Sequence, residues 1–164
     1  MSYFVRKITR AKWSLPSGVV DNPFDVPADV IAIDLKTSAN TLSVWEIEDE
    51  VNLDDAVLAI ASGGNKLDTI DIVWIEKIEL EKKGVEFIAS PGRTPIEYLV
   101  KTHLDLTGLN YFKIGLIAES ITTKIASSKI KRYTTGELKK LFNAAIDKGL
   151  VEKSLLDEGI RKGL

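Results

Sequence analysis

The chain has 164 residues, of which 45% are hydrophobic and 28% charged, with no cysteine and a single histidine. That length suits one compact domain. A chain of about 150 residues buries roughly 68–70% of its unfolded surface and needs no covalent staple. The missing thiols exclude thiolate nucleophiles, redox dithiols, iron–sulfur clusters and Cys-ligated zinc. The lone His103 excludes an HExxH pair and any site built on two histidines.

The first residues, MSYFVRKITRAKW, alternate apolar and basic side chains and lack the apolar core of a secretory signal. No apolar run approaches the ~18 residues that a membrane span requires. A cytoplasmic protein without membrane contact is therefore expected. Net charge is −2 but uneven: residues 1–123 hold 12 Lys/Arg against 19 Asp/Glu, and residues 124–164 hold 10 against 5. An acidic body with a basic tail points to an acidic partner, to nucleic acid, or to self-complementation.

Residues 3–9 (YFVRKIT) alternate as a first strand. The following stretch holds three of the five prolines and reads as a long loop packed onto the body through Trp13, Leu15, Val19, Val20, Phe24 and Val26. Pro27 suits the first position of a short helix ending near Asn40. Residues 41–48 read as a strand, with Trp45 and Ile47 inward and Glu46 and Glu48 outward. A helix follows, with Asn52 as its cap, Asp54 and Asp55 in its first turn, and Gly63-Gly64 as its stop.

Residues 67–75 (LDTIDIVWI) form the most apolar strand, while 76–83 fit helix by propensity and strand by alternation. Residues 85–89 make another strand. Thr94-Pro95-Ile96-Glu97 has the form of a capping box and predicts a helix over 95–104. Helical spacing continues over 111–130, and Thr134-Thr135-Gly136-Glu137 opens a last helix closed by Gly149. The three tryptophans are expected in the core. Together these elements give an α+β fold: a small mixed or antiparallel sheet of about four strands with helices packed on it. Residues 1–90 are strand-rich and about 95–164 helical, so the C-terminal third is mainly helical.

Each cluster of chemically useful residues also has a structural reading. Glu48, Asp49 and Glu50, in a run with Glu46, Asp54 and Asp55, offer hard oxygen ligands for Mg²⁺ or Ca²⁺. The same residues make a solvated face and an anionic first helical turn, and no calcium-loop pattern is present. His103 is the candidate general base. On a helix it falls at the buried stripe, with Asp105 pointing elsewhere, and no G-x-S-x-G elbow supplies a nucleophile. Arg93 and Thr94, before the helix at 95, would receive a phosphate or carboxylate, though any strand-to-helix turn uses such residues.

Lys124, Lys129, Lys131, Arg132, Tyr133, Lys139 and Lys140 combine cations with an aromatic ring, as single-stranded nucleic acid requires. Against that, the isoelectric point is about 5.5, and charge runs are usually solvated faces. No motif is specific enough to assign a family. The reading the residues favour is a non-enzymatic protein–protein interaction module, an accessory, regulatory or inhibitor-type subunit. It would use the charged surface around Lys129, Lys131, Arg132, Tyr133, Lys139 and Lys140. The alternative is a small enzyme or binding domain for an anionic small molecule at Arg93, Thr94 and His103, and nucleic-acid binding ranks third. No cofactor is expected, and the partner's identity and the oligomeric state stay open.

Overall fold

A computed structural model describes residues 1–13 and 26–164. Most of the expected loop, residues 14–25 with Leu15, Val19, Val20 and Phe24, lies outside them; of its other apolar residues Trp13 is buried and Val26 packs against the core. The described residues form one six-stranded sheet. Its strands are β1 (Tyr3–Ile8), β2 (Leu42–Ile47), β3 (Ile70–Glu76), β4 (Glu86–Ala89), β5 (His103–Thr107) and β6 (Ile130–Tyr133). They lie in the order β4-β5-β2-β1-β3-β6, and every neighbouring pair is antiparallel.

The expected α+β class holds, but the sheet has six strands rather than about four. The two additional strands, β5 and β6, lie in the part of the chain read as helical. In β5, Leu104 and Leu106 are buried while His103, Asp105 and Thr107 face the other way. That alternation of period two is the strand signature. The helix expected over 95–104 shrinks to α4 (Glu97–Val100), because Thr94 makes no capping box; its N-cap is Ile96, without a side-chain bond.

The other helices are α1 (Ala28–Ile33), α2 (Leu53–Ser62), α3 (Lys77–Lys82), α5 (Tyr111–Ala126), α6 (Thr135–Asp147) and α7 (Glu158–Gly163). Residues 76–83 resolve into the last residue of β3 followed by α3. At α6 the capping box is complete: Thr134 accepts from the Glu137 amide, and the Glu137 carboxylate accepts from the Thr134 amide. Gly149, at φ +69°, ends that helix in a conformation glycine adopts at little cost.

Both faces of the sheet are covered, so alternate residues on each central strand enter different cores. One core joins Val5, Trp45, Ile72 and Trp74 to residues of α2 and α6, including Val57, Leu138 and Phe142. The other joins Phe4, Val44, Val73 and Leu104 to α1 and α5, including Val30, Ile117 and Ile121. All three tryptophans are buried, as expected; Trp45 and Trp74 sit in strands, and Trp13 packs into the other core from the start of the chain. Among the described residues no helix is long and apolar enough to cross a membrane.

The end of α1 is fastened to β1 through one buried carboxylate. Asp34, only 7% exposed, accepts from the Thr9 amide (2.7 Å), the Thr9 hydroxyl (2.8 Å) and the Trp13 indole N–H (2.8 Å). Arg6 donates to the Asp34 backbone carbonyl and to that of Ser43. Burial pushes its guanidinium down to about 10, and the Asp34 charge opposes that fall. The guanidinium is therefore committed to holding the turn against the sheet.

Candidate functional site

Three strands, the end of α2 and one turn border a cleft of about 520 Å³, within the ~300–1,000 Å³ range usual for small-molecule sites. Its floor follows from strand register. Val5 stands opposite Trp45, and Trp45 opposite His103. One step along, Ser43 stands opposite Asp105. Lys7, two residues beyond Val5, shares its face. The walls are the C-terminal end of α2, at Ala59, Ile60 and Gly63, and the turn Ser90–Arg93.

Close packing holds that turn. Gly92 packs against the Trp45 ring, where a Cβ would come within 2.3 Å of the indole edge and 2.9 Å of the His103 Cβ. A Cβ on Gly63 would meet the Arg93 carbonyl oxygen at 2.5 Å. The Gly92 amide donates to Val100 (3.0 Å), and the Ser90 amide to the His103 carbonyl (3.3 Å). Two glycines thus let backbone approach backbone and ring, and fix where Arg93 stands.

His103 opens β5 rather than ending a helix, which changes its chemistry. Its Nδ1 lies 2.7 Å from the Ser90 carbonyl oxygen. A carbonyl only accepts, so Nδ1 carries the proton and the neutral ring keeps its lone pair on Nε2. The ring packs edge-on to Trp45, with centroids 4.9 Å apart. Asp105, two residues on, shares its face instead of pointing elsewhere. Asp105 Oδ1 accepts from the Ser43 hydroxyl at 3.1 Å. The cleft therefore combines two exposed cations, Lys7 and Arg93, with two acceptors, the His103 ring and the Asp105 carboxylate.

Thr94 does not line this cleft. Its hydroxyl pairs with that of Ser62 (2.6 Å) and accepts from the Ile96 amide (3.2 Å). The anion site expected at a helix N-terminus is not formed either, because α4 is a single turn of four residues too short for a developed dipole. The helix that borders the cleft, α2, presents its C-terminal end. Side-chain cations have to carry any anion here.

The basic segment is largely occupied within the molecule. Lys124 pairs with Glu76 and with Glu79 (2.7 Å), and Lys129 with Glu50 (2.5 Å) and Glu76 (3.5 Å). Arg132 grips Asp71 through two hydrogen bonds of 2.8 and 2.9 Å. The Lys131 ammonium lies 3.9 Å from Asp54 and 4.2 Å above the Tyr133 ring. Lys129 precedes the edge strand β6, and Lys131 and Arg132 belong to it. Tyr133 is 2% exposed and donates to Asp54 (2.6 Å), so its ring is packed in the core and offers no stacking face. Lys139 and Lys140 are exposed on α6 with no ion pair among the described residues.

Most of the acidic run is also engaged within the molecule, Glu50 and Asp54 by the basic segment and others elsewhere. Asp49 caps a short turn by accepting from the Val51 amide (3.0 Å), Asp55 accepts from Tyr98 (2.7 Å), and Glu46 pairs with Lys77 (2.8 Å). Glu46 is therefore half-buried against a cation rather than outward in solvent, and Glu48 is exposed. Lys129 holds Glu50 below its ordinary range, and burial raises Tyr133 well above its own, with Asp54 adding to the effect. Among the described residues no three carboxylates or histidines are grouped as a metal site requires.

Lys7 and Ser43 are cleft residues that sequence reasoning passed over, and Asp105 was set aside there because a helix would have pointed it elsewhere. The alternation in HLDLT was the signal that could have found Asp105. None of the protein-family models, curated proteins or solved structures compared with this chain matches it.

Proposed function

We propose that the protein binds a small anionic molecule in the cleft between β1, β2, β5 and the Ser90–Arg93 turn. The observation that carries this reading is a contrast between cations. Lys124, Lys129, Lys131 and Arg132 are each drawn into an ion pair with a carboxylate. Lys7 and Arg93 have no such partner among the described residues, and they flank one concave space that also holds His103 and Asp105. Two unneutralised cations at one cleft attract an anion more strongly than paired charges on a flat surface do.

Thermal unfolding tests the reading directly. A ligand at about 100 times its Kd adds about 2.7 kcal/mol, which raises Tm by roughly 5–10 °C for a chain of this size. Inorganic phosphate, ribose 5-phosphate, AMP and citrate form a first panel. At least one should raise Tm, and Lys7→Ala with Arg93→Ala should abolish the rise. A flat response to the whole panel would count against the cleft as an anion site.

A second reading, protein interaction, is favoured by a different observation: Tyr111 and Phe112, at the start of α5, are 95% and 73% exposed. Adjacent exposed aromatic rings are common anchors of interfaces. Capture of a stoichiometric partner at low salt, lost in Tyr111→Ala/Phe112→Ala, would support it.

A further inference from the structure

The anion-binding reading leaves half of the cleft's chemistry unused. Lys7 and Arg93 can only donate hydrogen bonds, and they satisfy an anionic group. The other pair can only accept when His103 is neutral. Its Nδ1–H is committed to the Ser90 carbonyl, which leaves Nε2 as a lone-pair acceptor. Asp105 is an acceptor on both oxygens, and among the described residues only Oδ1 is engaged, by Ser43. The two side chains stand two residues apart on one face of β5, in the same space as the two cations. A bare anion brings no donors and would be repelled by Asp105, so it uses one end of this site and is opposed by the other.

Resting on the anion reading, we infer that the ligand is a phosphorylated polyol, with its phosphate at Lys7 and Arg93 and adjacent hydroxyl groups donating to Asp105 and His103. A carboxylate accepting from two neighbouring hydroxyls is how acidic residues hold ribose. A volume of about 520 Å³ leaves room for a sugar beside the phosphate. A free sugar phosphate and a nucleoside monophosphate both present this chemistry.

Isothermal titration of the intact chain with four probes tests it: ribose 5-phosphate, AMP, phenyl phosphate, and adenosine. Ribose 5-phosphate or AMP should bind about tenfold or more tightly than phenyl phosphate, because hydrogen bonds to a charged acceptor discriminate by at least that factor. Asp105→Asn should erase this advantage while leaving phenyl phosphate unchanged or improved. Arg93→Ala should weaken every phosphate and leave adenosine as it was. Asp105 and Arg93 are partly or fully exposed, and a circular dichroism spectrum checks that each variant is folded. His103→Gln, which keeps an acceptor near Nε2, should retain more of the advantage than His103→Ala.

The probes also separate the two sugar sources. Preference for ribose 5-phosphate identifies the free sugar phosphate, and preference for AMP the nucleotide. If phenyl phosphate binds as tightly as the hydroxylated probes, or if Asp105→Asn leaves their advantage intact, the polyol inference is overturned and the anion site stands. If no phosphate binds, both fall together.

Discussion

Replacing Asp34 tests whether one buried carboxylate holds α1 and the start of the chain to the sheet. Asp34→Ala removes the acceptor for three donors: the Thr9 amide, the Thr9 hydroxyl and the Trp13 indole N–H. Thr9 is exposed and can turn to water. Trp13 is 5% exposed and cannot. A buried donor without a partner costs about 1–3 kcal/mol, and each lost hydrogen bond to a charged acceptor adds about 1 kcal/mol when water replaces it. The expected loss is about 3–5 kcal/mol, which for this chain length lowers Tm by roughly 6–20 °C.

Asp34→Asn is the control. Its carbonyl oxygen can still take the Trp13 and Thr9 N–H groups while its amide nitrogen faces the Thr9 hydroxyl, which rotates to accept. Only the charge is lost, and the expected cost is about 1–2 kcal/mol. Urea unfolding followed by tryptophan fluorescence reads both values, provided the slope stays constant across variants. If Asp34→Ala comes within about 1 kcal/mol of the native chain, or if Asn costs as much as Ala, the hydrogen-bond argument is refuted.

Gly92→Ala drives a Cβ into the Trp45 ring; it should cost about 1–3 kcal/mol, as overpacking does, and weaken phosphate binding, whereas Gly115→Ala, at an open position in α5, should be neutral or stabilising in the same melts. Glu50 and Glu76 are held below their ordinary range of about 4.5, Glu50 by Lys129, and Glu76 by Lys124 against the opposing effect of burial. Their contribution is complete above that range and is lost as pH falls through the lowered folded values. Stability measured from pH 6 to 2 should therefore drop in the acid limb, and Glu50→Gln/Glu76→Gln should flatten it; an unchanged limb would mean these pairs add nothing. Lys129→Glu should lower Tm by setting a third carboxylate beside Glu50 and Glu76, while Lys139→Glu/Lys140→Glu should leave Tm within a degree or two; equal effects would contradict the pairing pattern. Thr134→Ala removes the α6 cap and should cost about 0.5–2 kcal/mol in urea unfolding, with Thr135→Ala as the neutral comparison.

Local physics alone made several elements legible. Alternation marked β1 and β2; apolar spacing with acidic first-turn residues marked α2; and Thr134 with Glu137 marked the start of α6, because a capping box is completed within four residues. The acid–base asymmetry between body and tail was also visible in the sequence. Its partner was not, since Lys124, Lys129 and Arg132 find Glu76, Glu50 and Asp71 only once β6 lies beside β3.

The candidate site was less legible. Arg93 and His103 were singled out, but Arg93 as the approach to a helix and His103 as part of it, and tertiary pairing replaced the end of that helix with β5. HLDLT becomes a strand because β2 and β4 both offer it hydrogen bonds and both faces of its register are useful, which local helix propensity does not record. That substitution decides the chemistry. On a helix, residues two apart point in different directions; on a strand they share a face, so Asp105 joins His103. Lys7 and Ser43 enter the cleft through long-range strand register, and Gly63 and Gly92 matter only because distant segments press against them. The sequence by itself determined which segments carry strong local signals and where charge accumulates. Tertiary structure alone decided which charges neutralise one another and which remain at one cleft, because pairing energies depend on distances that chain separation does not set.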